Sequence, residues 1–251
     1  MRRGFWMVMG LSLCTSAWAT DVPGTLQWSQ RVALSPPVSG VVRSVHATVG
    51  DRVKKGQVLL TLDADASHAN VSESQAEFAR LKEEEQDAKR NLDRVQELYN
   101  RTVISTSELE QAQTRYVRAK AGLSETRARL TRSQKLLGDA TLRAPFDALV
   151  VVRQVEVGQT VASQFQPQTL FVLARANEMI GRAKVSLAQV EKMKVGETVT
   201  VQVGQQTYSG KVKTLGLEPV GEKDEAGYLL DVLFTVKDVL RAGTPAVLKL
   251  P

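Results

Sequence analysis

One stretch of this chain is written twice, with a long helical segment between the copies, and that interrupted repeat limits the folds open to it. Pro37-Val38-Ser39-Gly40-Val41-Val42 matches Pro145-Phe146-Asp147-Ala148-Leu149-Val150 at one constant offset, and the same offset lays Gly50 on Gly158 and Val53 on Val161. Each copy runs on into an apolar strand, Val58 to Leu62 in the first and Leu170 to Ala174 in the second. The second copy carries the extra residues Gln164 to Gln168 before its strand. Val45, Ala47 and Val49 alternate with polar residues, and Val151, Arg153, Val155 and Val157 sit at the matching period of two, the spacing of half-buried strands. Gly50-Asp51 and Gly158-Gln159 mark tight reversals, where glycine tolerates the positive φ that such turns need. Neither copy can enclose a core alone, so the two are expected to pack on each other as a flattened β-sandwich. With aromatics at only 5%, that core must rest on Val, Leu, Ala and Ile.

Between the copies, residues 65–139 turn rich in Glu, Gln, Arg, Lys and Ala, hold no proline, and include a mid-segment glycine at Gly122. Leu109, Ala112, Tyr116, Ala119, Leu123, Thr126, Leu130, Ser133 and Leu137 follow an unbroken three-four alternation, the a/d seam of a coiled coil. The earlier half gives Phe78, Leu81, Glu85, Ala88, Leu92, Val95 and Tyr99, with Glu85 as its polar break. The two segments are of similar length, and Asn100 to Thr106 is a connection of the size that joins antiparallel helices. Ser105-Thr106-Ser107-Glu108 fits a capping box that opens the second helix, and Gly138 is placed to stop it. A narrow, small-residue seam needs only two helices to cover it, so a protruding rod is expected.

From Asn177 to the end the pattern is short strands with one helix. Met179–Val185, Glu197–Val203, Tyr208–Leu215, Tyr228–Val236 and Ala246–Leu250 are expected strands, with a short helix over Ser186–Met193 capped by Ser186. Leu26–Ala33 adds a sixth strand, enough for a small closed barrel. The expected class is therefore α+β: a six-stranded β-barrel, a split β-sandwich and a long antiparallel α-helical coiled-coil hairpin. The expected division is 20–33 with 175–251 for the barrel, 34–64 with 140–174 for the sandwich, and 65–139 for the hairpin.

The first residues form a separate unit. Arg2 and Arg3 precede an apolar run from Phe5 to Leu13, and Ala17-Trp18-Ala19 presents small residues at the positions a signal peptidase reads. Residues 1–19 are thus expected to be a signal peptide cleaved after Ala19. The run is short for a bilayer span. Leu11-Ser12-Leu13 puts a large Leu where a lipoprotein site wants Gly, Ala or Ser, so no lipid anchor is expected at Cys14. Cys14 is the single cysteine, and without it disulfides, thiolate catalysis and cysteine metal sites are closed to the processed chain. Losing Arg2 and Arg3 takes the formal charge from +6 to +4. The remaining charges are interspersed, with no basic block interleaved with aromatics, so nucleic acid is not an expected partner. No glycine-rich phosphate loop or nucleophile elbow occurs. His46 is expected on a sandwich strand and His68 near the first helix cap, neither in a ligand-rich neighbourhood. Met179 and Met193 are too few for a thioether copper or silver site. Asp63 and Asp65 suit a helix N-terminus better than acid–base chemistry. No catalytic residue, cofactor or metal is expected, and the chain is not expected to be an enzyme.

Val38-Ser39-Gly40-Val41-Val42 followed by Val49-Gly50-Asp51-Arg52-Val53-Lys54-Lys55-Gly56-Gln57-Val58-Leu59 resembles half of a lipoyl or biotinyl domain. In carrier enzymes the halves meet at a turn bearing the modified lysine. Here residues 65–139 replace that turn, and no Asp-Lys or Met-Lys-Met tip is present. A split lipoyl motif around a helical insertion resembles the periplasmic adaptors, or membrane fusion proteins, of tripartite efflux pumps, most often of the resistance-nodulation-division type. Val195-Gly196-Glu197-Thr198-Val199-Thr200-Val201 and Leu240-Arg241-Ala242-Gly243-Thr244-Pro245-Ala246-Val247 resemble that family's barrel. The resemblance implies a periplasmic protein that joins an inner-membrane exporter to a TolC-like outer-membrane channel and assembles side by side into a ring of six. Adaptors that engage such channels share an Arg, a Leu four later and a Ser seven after that, and Arg94, Leu98 and Ser105 stand at that spacing. The resemblance makes these three the channel contact. Read from the residues alone, Arg94 is equally a solvated charge, Leu98 a shield for the seam and Ser105 a cap. Two departures stand out. Ala148 replaces a usual glycine, which implies a looser turn. The chain also ends with the barrel, where many adaptors continue into a membrane-proximal β-domain, so a second adaptor subunit or the barrel itself is expected to meet the transporter. The family also serves ABC and major-facilitator exporters and secretion systems, and a lipoyl or biotinyl carrier is the enzyme-class rival.

Overall fold

The computed structural model describes residues 20–162, 168–221 and 226–250. The expected signal peptide, its cleavage point and Cys14 lie outside the described residues, as does most of the extra stretch in the second repeat. The chain divides into two compact units: Arg31–Ala174, and the two flanking stretches together.

In the first unit the two repeats build two four-stranded sheets by exchanging strands. The strands are β2 (Arg31–Leu34), β3 (Gly40–Val45), β4 (Arg52–Val53), β5 (Val58–Leu62), β6 (Thr141–Arg143), β7 (Ala148–Arg153), β8 (Thr160–Val161) and β9 (Phe171–Arg175). One sheet runs β2-β9-β7-β4 and the other β6-β5-β3-β8, so each contains strands from both copies. The exchange is reciprocal. Gly40 and Val41 of β3 pair with Val161 and Thr160 of β8, while Arg52 and Val53 of β4 pair with Leu149 and Ala148 of β7. The turn glycines join in as well: Gly50 N–H donates to Val150 O and Gly158 N–H to Val42 O, each at 2.9 Å. Both glycines hold positive φ, +95° and +86°. Beside Gly50, the Asp51 carboxylate accepts the Thr48 backbone N–H and then its hydroxyl, which holds the acid below its ordinary pKa. Val42, Val53, Leu59, Leu60, Val150 and Phe171 fill the space between the sheets. Ala148, the residue in place of the usual glycine, opens β7 and is fully buried in this core, where its methyl takes packing volume.

Helices α1 (Asp65–Asn100) and α2 (Thr106–Asp139) leave the sandwich from β5 and return to β6. At 1.5 Å per residue they run to about 54 and 51 Å. They pack on each other antiparallel along their lengths, with Ser74 Oγ 3.0 Å from Ser133 Oγ near the base and Leu81 beside Gly122 further out. All nine expected seam positions of α2 are buried or half-buried, with Leu109, Ala112, Ala119 and Thr126 the deepest. On α1 the expected last seam residue, Tyr99, is exposed, and Leu98 is half-buried instead. Gly138 does not stop α2. The helix runs one residue past it and ends at Ala140, which is buried in the sandwich core and accepts the Leu62 N–H at 2.8 Å. At the other end Asp65 opens α1 and pairs with Arg43 of β3 at 3.0 Å, while Asp63 accepts the Asp65 N–H. His46 lies one residue beyond β3 rather than on it, with Nε2 2.8 Å from Ser44 Oγ.

The second unit is a closed barrel, β1-β10-β13-β12-β11-β14. Its strands are β1 (Thr20–Trp28), β10 (Glu178–Val185), β11 (Thr198–Val203), β12 (Gln206–Val220), β13 (Gly227–Thr235) and β14 (Pro245–Leu250), with the short α3 (Leu187–Val190). The strand expected at Leu26–Ala33 is in fact two. Barrel strand β1 ends at Trp28, and Arg31–Leu34 pairs with β9 in the sandwich. Alternate side chains such as Leu26, Met179, Val201, Leu230, Phe234 and Leu248 point inward, each burial of this kind contributing about 1.5–3 kcal/mol. On β10 and β13, Arg182 donates from Nε and Nη2 to both oxygens of Asp231, at 2.6 and 2.7 Å. That bidentate bond raises the Arg182 pKa further above its ordinary value.

Candidate docking site at the hairpin tip

The tip is built by two helix ends. The α1 terminus closes with paired bonds: Thr102 N–H donates to Tyr99 O at 2.9 Å, and Val103 N–H donates to Leu98 O at 3.1 Å. This is the Schellman pattern, in which the residue after the cap takes left-handed φ and is usually glycine. Here it is Thr102, at φ +63°. Among the described residues every other positive φ belongs to a glycine. No sequence cue pointed to Thr102, because a threonine carries no signal for that conformation.

The other end is the expected capping box. Ser105 Oγ accepts the Glu108 N–H at 3.4 Å, and the Glu108 carboxylate accepts the Ser105 N–H at 3.0 Å. The Ser105 hydroxyl also reaches the same carboxylate at 3.3 Å. Ser105 is thus engaged as a cap.

The three residues singled out by spacing do share the tip, but they differ in exposure. Arg94 is exposed, and its Nη2 donates to Asn91 Oδ1 at 2.8 Å, one helical turn back. Leu98 is half-buried and lines a cavity of about 200 Å³ between the helices, with Val95, Ile104 and Ala112 as its apolar neighbours. Ile104, missed by the seam pattern because it lies in the turn, is half-buried and lines the same cavity. Val103, next to it, is 66% exposed. Arg101 pairs with Glu97 one turn back, so much of the polar surface of the tip is satisfied internally.

The segment between β5 and β6, where the resemblance puts a carrier turn, is the pair of helices, and its lysines, Lys82, Lys89, Lys120 and Lys135, lie along them. Among the described residues no cluster of three or more His, Cys, Asp or Glu side chains could hold a metal ion. No helix there is long and apolar enough to cross a membrane.

A family described as CzcB-like, barrel-sandwich hybrid domain matches residues 30–175, more than half of the chain. The chain belongs to that family. The match covers the split sandwich and the inserted hairpin together. Among curated members of similar sequence, the cobalt-zinc-cadmium resistance protein CzcB of Cupriavidus metallidurans is 25% identical over 186 residues, covering 71% of this chain and 34% of that protein. The macrolide export protein MacA of Escherichia coli O157:H7 is 26% identical over 216 residues, covering 76% of this chain and 58% of its own. The chain thus spans about a third of the first and somewhat over half of the second. In fold, the membrane fusion protein Spr0693 of Streptococcus pneumoniae R6 superposes with a TM-score of 0.70 at 14% identity, over 93% of this chain and 99% of that one. A chimera of MacA carrying the α-hairpin domain of Pseudomonas aeruginosa MexA gives 0.65 at 23% identity, over 92% and 81%. This CzcB-like chain therefore has the fold of the membrane fusion proteins.

Proposed function

We propose that the chain is the periplasmic adaptor subunit of a tripartite efflux system. It would link an inner-membrane exporter to a TolC-like outer-membrane channel for the export of drugs or other small molecules. The observation that carries this reading is the two-helix insertion into a strand-exchanged sandwich, where a carrier domain would keep its modified lysine. Relatives named for metal resistance, macrolide export and multidrug resistance support efflux as the process. In this reading the hairpin is a coiled-coil spacer, and several copies stand side by side in a ring of six. The barrel, alone or with a second adaptor subunit, meets the exporter. The protein seals and couples a conduit and does no chemistry on the cargo. An ABC or major-facilitator exporter would use the same parts. Arg94, Leu98 and Ser105 meet the channel, Ser105 while also capping α2.

The test is capture in the native host. The tagged chain should co-purify with an outer-membrane channel and an inner-membrane exporter, and loss of its gene should raise susceptibility to a panel of drugs and metal ions. Arg94→Asp, on an exposed face, should cut channel recovery about tenfold while leaving the circular dichroism and the exporter recovery unchanged. Equal channel recovery with the variant would remove the tip contact. A lysine-linked mass increment on the intact chain would favour the carrier reading instead.

A further inference from the structure

The barrel carries a knob and a pocket that suit each other and are built from different residues. The knob is Leu217, 94% exposed, the most exposed of the large apolar side chains among the described residues. Its position has a structural cause. Between β12 and β13 the register steps from Leu215↔Leu230 to Pro219↔Tyr228, so β12 spends two more residues than its partner over that interval. Such a bulge re-aims the side chain at its apex. Gly216 makes the bulge possible, since a Cβ there would lie 2.9 Å from the Leu229 backbone nitrogen and 3.2 Å from its carbonyl oxygen. The chain is pressed flat at Gly216, and Leu217 is thrown outward with Glu218 exposed beside it.

The pocket is a cavity of about 110 Å³ lined by Thr20, Gln189, Lys192, Met193 and Leu250. Met193 and Leu250 are buried and form an apolar floor, while Lys192 is exposed at the rim. A volume somewhat below the roughly 150 Å³ that holds a benzene ring in an apolar cavity suits one branched aliphatic side chain. The charges match as well: the knob has Glu218 next to it and the pocket has Lys192.

We propose that Leu217 of one copy seats in the Thr20–Met193–Leu250 pocket of a second copy of this chain, with Glu218 meeting Lys192 at the rim. This rests on the reading of the protein as a ring-forming adaptor and names a contact for that ring. Knob and pocket are made of different residues, so each copy can give one and receive one, and head-to-tail repetition of the contact builds a ring where its rotation closes. A rim ion pair of this kind sets register and salt dependence more than strength, while the buried leucine supplies the apolar area.

Two populations of the chain, both with Cys14→Ser, test this directly, one carrying Leu217→Cys and the other Lys192→Cys, joined by a short bis-maleimide. Mixed, they should yield a covalent dimer whose cross-linked peptide joins positions 217 and 192, and the Lys192→Cys population alone should not. Leu217→Asp should weaken self-association in sedimentation at least tenfold with unchanged circular dichroism. Glu218→Lys and Lys192→Glu should each weaken it, and the two together should restore it. If the chain self-associates but Leu217→Asp leaves that unchanged and no 217–192 peptide forms, the contact is wrong while the ring reading survives. A chain that stays monomeric at every concentration overturns both. In cells, a Leu217→Cys cross-link that reaches only an inner-membrane protein overturns the contact in favour of the exporter.

Discussion

Three residues with unlike surroundings show how local geometry sets the worth of a side chain here. Gly24 of β1 is hemmed between β10 and β14: a Cβ there would lie 2.5 Å from the Arg182 carbonyl oxygen and 2.9 Å from Leu248 Cδ1. Gly24→Ala is therefore expected to cost about 2–3 kcal/mol, because neighbouring backbone has to move. Gly122 sits inside α2 with its nearest outside neighbour, Leu81 Cδ1, at 3.9 Å, an ordinary contact. Gly122→Ala should raise stability by about 0.5–1 kcal/mol, since a helix interior gains from losing glycine's freedom and nothing clashes. Urea denaturation of the two variants should move the midpoint in opposite directions, and a loss in both would mean the helix seam is tighter than described. Thr102 is the reverse case, a β-branched residue at φ +63° where glycine would be unstrained. The strain costs on the order of 1–2 kcal/mol at the end of α1.

Among the elements, the hairpin depends on a seam that is apolar with polar interruptions. Ser74, buried on α1, bonds Ser133 of α2 across it at 3.0 Å. Removing one hydroxyl leaves the other short of a partner at a cost of about 1–2 kcal/mol, whereas removing both also removes the need. A double-mutant cycle of Ser74→Ala and Ser133→Ala should thus show coupling of about 0.5–1.5 kcal/mol, with additive losses telling against the bond. The α2 seam was legible because its three-four alternation runs unbroken from Leu109 to Leu137. The end of α1 was not. At the tip Leu98 is half-buried and Tyr99 exposed, a step back along the helix that the repeat does not announce. Gly138 misled because the end of α2 is set by the burial of Ala140 in the sandwich, which no local residue announces. Leu26–Ala33 alternates only through Trp28, and the polar run Ser29-Gln30-Arg31 that breaks it is where the chain changes sheets, a cue the single-strand reading passed over. At the candidate site the positions of Arg94, Leu98 and Ser105 could be read from spacing, but not that Ile104 lines a cavity with Leu98, nor the left-handed Thr102.

At the level of the whole molecule, the repeat announced two equal halves but not their exchange of strands. That exchange ties residues far apart in sequence, such as Val41 with Thr160 and Arg52 with Leu149, and gives the inserted helices a base made from both copies. The account turns on what the far end of those helices touches. A photo-activatable amino acid at position 94, in cells expressing all the protein's natural partners, tests this most directly, with position 157 on the sandwich as control. An outer-membrane channel should be the cross-linked product from position 94 and absent from position 157. Capture of only inner-membrane or soluble proteins from the tip, or of the channel from both positions alike, would contradict the adaptor assignment.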